Sequence, residues 1–219
     1  MLPVRRFKSA ISVSLIVATA TMGALAGAAQ AATTFTGYTD GCFGAACVPS
    51  SASGPQSTTL GGLTYANSIF SVTDAGGFAA IGNMPASPNV DNLGSFSLTG
   101  AAFTYTGNAF DLRVSFTAPP GTAPGSGVFT SVLSGQVIAI DNGGVFVNFD
   151  NTSQHFTFNG GGSFDLSVND VAVTAGNTIA VTGQITNVAA IPEPDTYGMV
   201  LAGLGVMGFV IRKRKNQSA

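Results

Sequence analysis

The sequence predicts an all-β fold, a single β-sandwich or jelly-roll-like domain over residues 32–190, flanked by two short segments of different character. Three observations carry this. Apolar and polar residues alternate with period two along many short stretches, as a strand with one buried face requires. No stretch between 33 and 190 shows helical periodicity with caps. Glycine supplies 29 of the 219 residues, about 13% against a usual ~7%. Many of these glycines fall between the alternating stretches, where turns need them.

The elements follow in order. The segment around Cys42 and Cys47 reads as a Gly-rich N-terminal loop with few apolar contacts of its own. Strands are predicted at 58–65, 68–73, 94–99 and 102–106. Phe110-Asp111-Leu112-Arg113-Val114-Ser115-Phe116 turns its even positions inward and its odd ones outward, a half-buried strand. After a strand at 128–134, Val137 to Ile140 and Val145 to Phe149 flank Asp141-Asn142-Gly143-Gly144. Asn and Gly tolerate the positive φ of a hairpin turn, so the two runs form a hairpin. Both are apolar on both faces and are expected centrally. A strand at 154–158 precedes Phe164, Leu166 and Val168, which alternate with Asp165, Ser167 and Asn169. Ile179, Val181 and Ile185 line one face of a last long strand. About ten short strands with Gly-rich turns suit a sandwich. Phe103–Val114 and Phe156–Val168 echo one another, bringing Asp111 and Asp165 to like positions. Two copies are too few for a repeat protein, and hairpins converge on such patterns. The Pro- and Gly-rich stretches 82–92 and 118–127 read as loops.

Charge is scarce in this body. From Thr33 to Ala190 there are eight Asp and one Arg, Arg113, a balance of −7. A nucleic-acid binder needs a basic patch, and here there is a single cation. A disordered acidic chain has low hydrophobicity, whereas mean hydropathy here is +0.38. A helical bundle needs Glu and Lys, and the region has neither.

Candidate chemistry is thin, and no enzymatic activity, catalytic residue or metal site is expected. Cys42 and Cys47, the only cysteines, are read as a short-loop disulfide. A redox motif would need closer spacing, and a zinc site more Cys or His. His155 is the only histidine. No Gly-x-Ser-x-Gly elbow accompanies it, so a Ser–His–Asp triad has only availability behind it, and a half-exposed strand residue beside Asp150 is the plainer reading. Glycoside hydrolysis needs two carboxylates in opposed environments, and the one Glu lies in the C-terminal tail. No cofactor is expected; calcium is the one that the Asp excess suits. Asp91-Asn92, Asp141-Asn142, Asp150-Asn151 and Asp170 offer oxygen ligands. They lack an Asp-x-Asp-x-Asp pattern and suit turns equally. A carbohydrate site would want exposed aromatics, but there is no Trp and the 16 Phe fall mostly on predicted inward faces. Asn151-Thr152-Ser153 matches a glycosylation sequon, a pattern common by chance.

The ends read as addresses. Arg5, Arg6 and Lys8 precede an uncharged stretch from Ser9 to Ala29 with an aliphatic centre at Ile11, Val13, Leu15, Ile16 and Val17. Ala29-Gln30-Ala31 supplies the small–x–small pattern of signal peptidase. Residues 1–31 are therefore read as a signal peptide cut after Ala31, which places the body in an oxidising compartment. At the other end, Ile191-Pro192-Glu193-Pro194-Asp195 precedes an uncharged run, Tyr197 to Ile211, closed by Arg212-Lys213-Arg214-Lys215. As a helix, 197–211 spans about 22 Å, short of the ~30 Å hydrocarbon core. The basic stop 212–215 keeps that end cytoplasmic by the positive-inside rule. The two prolines leave 191–195 extended, a form an enzyme can grip as a strand.

The tail, 191–215, with its Pro192-Glu193-Pro194 motif, hydrophobic run and basic cluster, resembles the PEP-CTERM sorting signal of Gram-negative bacteria. The resemblance implies recognition by an exosortase, a membrane-embedded cysteine transpeptidase-like enzyme. It implies that the C-terminal helix anchors the chain in the inner membrane until the tail is cut near Pro192–Asp195. The body is then delivered to the cell surface or an exopolysaccharide matrix. Asp195 stands where a small residue is frequent in that family, and the apolar run is brief. The reading of the whole is a non-enzymatic structural or adhesive protein whose partners are signal peptidase, an exosortase and exopolysaccharide. The alternative is a calcium- or carbohydrate-binding module of the same architecture.

Overall fold

The computed structural model describes residues 32–51, 53–82, 90–139, 142–189 and 194–217. Fifteen strands and one helix occupy them, so the all-β expectation holds. The strands are β1 Thr34–Phe43, β2 Ser57–Leu60, β3 Leu63–Ala66, β4 Ile69–Thr73, β5 Ala79–Ile81, β6 Ser95–Leu98, β7 Phe103–Thr104 and β8 Ala109–Ala118. They continue as β9 Ser126–Ala139, β10 Asn142–Phe149, β11 Gln154–Phe158, β12 Gly162–Val168, β13 Val171–Thr174, β14 Thr178–Ala180 and β15 Gly183–Ala189. The helix, α1, is Pro194–Gln217.

Seven strands form one antiparallel sheet in the order β13-β10-β9-β8-β1-β4, with β7 beside β9. Two four-stranded sheets, β11-β12-β15-β5 and β14-β6-β3-β2, lie across from it. The small sheets are stitched together where Leu93 N donates to Val181 O at 2.9 Å and Val181 N donates to Gly94 O at 2.8 Å. Aromatic rings join the two layers. Phe35 of β1 meets Phe164 of β12 edge-on at 4.7 Å. Phe110 of β8 lies 5.0 Å from both Tyr65 of β3 and Phe96 of β6. The inward faces of all three sheets thus share one core, the sandwich-like arrangement that the alternation calls for.

The differences from the sequence reading have physical causes. The N-terminal segment is a loop only beyond Phe43: before it β1 runs between β8 and β4, with Phe35 fully buried. Gly37 and Gly41 break its alternation on paper, yet each is a core position filled from outside. A Cβ on Gly37 would lie 2.6 Å from the Phe70 ring, and one on Gly41 would lie 2.5 Å from the Phe110 ring. Residues 58–65 are not one strand but the hairpin β2–β3, turning at Gly61-Gly62. The predicted strands 128–134 and 137–140 merge, as far as the described residues reach, into one strand, β9, which ends at Ala139 and reaches from β8 on to β7 and β10. The last long strand is two. Ile179 in β14 pairs with Phe96, Ile185 in β15 pairs with Leu166, and fully buried Val181 lies between the sheets. β13 went unpredicted: four residues, Val171 and Val173 buried, are too short to show a period. β9 and β10 are interior strands as expected, but only one face of each is covered. Val132, Ile138 and Phe146 point outward and are exposed. Of the predicted loops, 82–92 lies largely outside the described residues, while 119–125 connects β8 to β9.

One polar knot sits inside the core. The Tyr65 hydroxyl lies 2.9 Å from both the Leu93 carbonyl and Thr39 Oγ1. Ser68 N donates to that same Oγ1 at 3.0 Å. Burial pushes the Tyr65 phenol far above its ordinary range. Tyr65→Phe leaves a buried acceptor without its donor and is expected to cost about 1–3 kcal/mol, read as a lower urea midpoint at unchanged slope.

The two ends of the body meet at one turn. Thr33 O accepts from Asp74 N at 3.0 Å, and Thr33 N donates to Asp74 Oδ1. Gly77 N donates to Asp74 Oδ2 at 3.1 Å, while Gly77 O accepts from Val188 N at 3.3 Å. Entry and exit strands therefore leave the sandwich side by side.

Candidate functional site

The predicted site residues fall into three groups. The first is the disulfide. Cys42, the residue before the end of β1, lies on its outward side and is bonded to Cys47, five residues on. Cys47 Sγ lies 3.8 Å from Asp111 Oδ2, and Cys42 stands opposite Asp111 in register. The bond pins the start of a crossing that runs back over β1, where Tyr38 Oη donates to Ser51 O at 3.1 Å. In chain-entropy terms so short a loop is worth about 2 kcal/mol. Cys42→Ser with Cys47→Ser is expected to lower stability by about that amount, and reduction of the wild-type chain by the same.

The second group is the scattered acids. Beside the disulfide, Asp111, Thr130, Asn148 and Asp150 line a shallow cavity of about 480 Å³. Burial raises the Asp111 carboxyl, whereas the Thr152 hydroxyl and amide hold Asp150 low. The described calcium candidates among the aspartates serve as acceptors for backbone amides. Asp150 Oδ1 accepts from Thr152 N at 2.8 Å. Asp91 Oδ1 accepts from Ser71 N at 3.1 Å beside β4, and Asp170 Oδ1 accepts from Phe149 N at 2.9 Å. Asp141 lies outside the described residues. Among the described residues no group of three His, Cys, Asp or Glu is placed to hold a metal ion.

His155 belongs here too, and its partner is Asp165 rather than Asp150. The β11–β12 register sets the two directly opposite, with Nδ1 2.7 Å from Asp165 Oδ1. Asn187 Nδ2 donates to the other carboxylate oxygen at 2.7 Å. The Asn187 amide first, then the His155 ring, hold the Asp165 carboxyl below its usual range. No described serine or cysteine hydrogen-bonds His155, so a nucleophile–base pair is not assembled there. Sequence reasoning missed the cluster because Asn187, Asp165 and His155 sit on three strands, and only register brings them together.

The third group is the tail. The signal residues Ala29 and Ala31, with all of 1–31, lie outside the described residues, as do Pro192 and Glu193. Pro194 opens α1, which starts three residues before the predicted 197 and runs through the basic stop Arg212, Lys213, Arg214 and Lys215. Proline is favoured there because its missing N–H has no partner in a first turn. Val200, Leu201, Leu204, Val206, Met207 and Phe209 are all exposed. Among the described residues no helix is long and apolar enough to cross a membrane.

An all-β body with an apolar C-terminal helix outside its core is a two-part chain: a folded domain and an appended tail. Residues 190–215 match the family model of the PEP-CTERM protein-sorting motif. The chain carries that motif, which marks it for export and cell-surface sorting with an exosortase as its processing partner. No curated protein and no solved structure matches the chain at significance.

Proposed function

We propose that the chain is a non-enzymatic structural or adhesive protein of the cell surface or extracellular matrix of a Gram-negative bacterium. Signal peptidase removes 1–31. The tail holds the body briefly at the inner membrane, an exosortase cuts near Pro192–Asp195, and the body joins the surface or an exopolysaccharide matrix. The match of 190–215 to the sorting motif carries this reading. The body supports it through what it presents: a nearly uncharged surface of Ser, Thr, Gly and Asn over a core that absorbs most of its aromatic rings. Intact-mass analysis of the protein recovered outside the cell tests it. A mass matching 32 to about 194 is expected. A species retaining 197–215 would mean a plain anchor.

The rival reading is a glycan- or calcium-binding module, and one groove supports its glycan form. Tyr38, Ile69, Ser71, Asp91 and Thr117 line a groove of about 420 Å³ along β1 and β4. Glycan-array binding abolished by Tyr38→Ala would favour it. So would a calcium-dependent gain of about 2.7 kcal/mol at a hundred times the dissociation constant.

A further inference from the structure

The last strand of the body ends in a built device. Opposite β12, the β15 register slips between Ser163↔Ala189 and Asp165↔Thr186, which makes a bulge of Asn187 and Val188. Asn187 takes φ +53 there, a left-handed conformation that asparagine tolerates better than most residues. Its side chain is not idle: it reaches Asp165, which His155 holds from the other side. One carboxylate thus ties β11, β12 and β15 across their outward face. Asp165 and His155 are the titratable groups on that face. The other outward residues of β12 and β15 are Ser163, Ser167, Gln184 and Thr186, and β5 offers Ala80. One residue on, Val188 N bonds to Gly77 O, on the turn that Asp74 also joins to Thr33. The sorting motif begins at 190, directly after this double attachment.

We propose that the His155–Asp165–Asn187 clasp is a positioning site for tail processing. With the Asp74–Phe78 turn it fixes Val188 and Ala189 in the sandwich and so sets the first residue at which the tail is free to be gripped and cut. The inference rests on the reading that an exosortase cuts this tail. The chemistry favours a tight limit. A protease-like enzyme takes its substrate as an extended strand, and residues still bonded to β12 cannot be taken without breaking sheet hydrogen bonds.

Asn187→Gly keeps the left-handed backbone at little strain and removes the clasp. Asp165→Asn keeps the shape and removes the charge. In the full chain, amide exchange of Val188 and Ala189 is expected to quicken at least tenfold in Asn187→Gly, while Leu112 and Phe129 stay protected. In the wild type the same protection is present above pH ~3.9, the unfolded aspartate value, and is lost as pH falls through the lowered folded value. In Asp165→Asn it is flat across that window. In cells, both variants are expected to yield released bodies of several lengths, with ends displaced toward 183–189. A wild-type end in both variants overturns the proposal, whether or not exchange quickens. An uncut wild-type chain is the separate failure of the exosortase reading, visible before any variant is made.

Discussion

Phe110→Ala is expected to remove about 3–5 kcal/mol of stability, a large part of the 5–15 kcal/mol that a domain has in total. Phe110 is fully buried in β8, the strand between β1 and β9. Its ring packs on Phe43 at 4.9 Å, on Tyr65 and Phe96 at 5.0 Å, and on Phe149 at 6.3 Å. Each tilted or edge-on pair adds about 0.5–1.5 kcal/mol beyond the area it buries. Losing the ring unties the seven-stranded sheet from β3 and β6 together, so the sandwich opens rather than relaxing locally. The same ring also covers Gly41, where an added Cβ would lie 2.5 Å from Phe110 and 2.9 Å from Tyr65. Gly41→Ala alone is therefore expected to cost about 1–3 kcal/mol by overpacking. Gly54→Ala, with no atom within 4 Å of its Cβ and no positive φ, is expected to change stability little. The decisive measurement is the double variant. With the Phe110 ring gone, the closer of the two clashes at Gly41 is relieved and only that with Tyr65 remains, so Gly41→Ala and Phe110→Ala together should cost clearly less than their sum. Additive urea midpoints would show that glycine and ring do not share that space.

The same pairing explains what the sequence disclosed of the fold and what it hid. Strands whose own side chains carry the pattern, such as Phe110–Phe116 and Phe164–Val168, are legible because period two is a property of the strand itself. β1 was not, because two of its core positions are glycines whose volume comes from Phe70 and Phe110, residues far along the chain. The split of the last strand was hidden for a related reason. Ile179, Val181 and Ile185 keep one apolar period while the chain passes from one sheet to the other, and only the stitch at Leu93 and Val181 reveals the change. The disulfide was readable from spacing and compartment. The Asp165 clasp was not, since neither the register of β12 with β11 and β15 nor the bulge at Asn187 leaves a local mark. The sorting tail stood out most clearly, because extended motif, apolar run and basic stop lie in sequence order and need no folding to be seen.

Two variants of that tail are expected to fail in opposite places. Glu193→Ala removes the only charge between the body and Asp195, at the centre of the Pro-Glu-Pro motif, and leaves anchor and basic stop intact. Such a chain should stay with the membrane fraction, uncut, with its body folded and its disulfide formed. Neutralising Arg212, Lys213, Arg214 and Lys215 to glutamine does the reverse. Each cation near an anionic surface contributes about 1 kcal/mol, so four contribute about 4 kcal/mol, close to a thousandfold in retention. The helix they close cannot replace that hold. Its uncharged run from 197 covers only about 22 Å, and its glycines at 198, 203, 205 and 208 each weaken a helix by about 1 kcal/mol relative to alanine. The neutral chain should therefore leave the membrane before the enzyme meets it and appear outside the cell with α1 still attached, at full tail mass. Capture by the basic stop and cleavage at the motif are separate steps on this account. Identical fates for the two variants would mean that one end of the tail performs both.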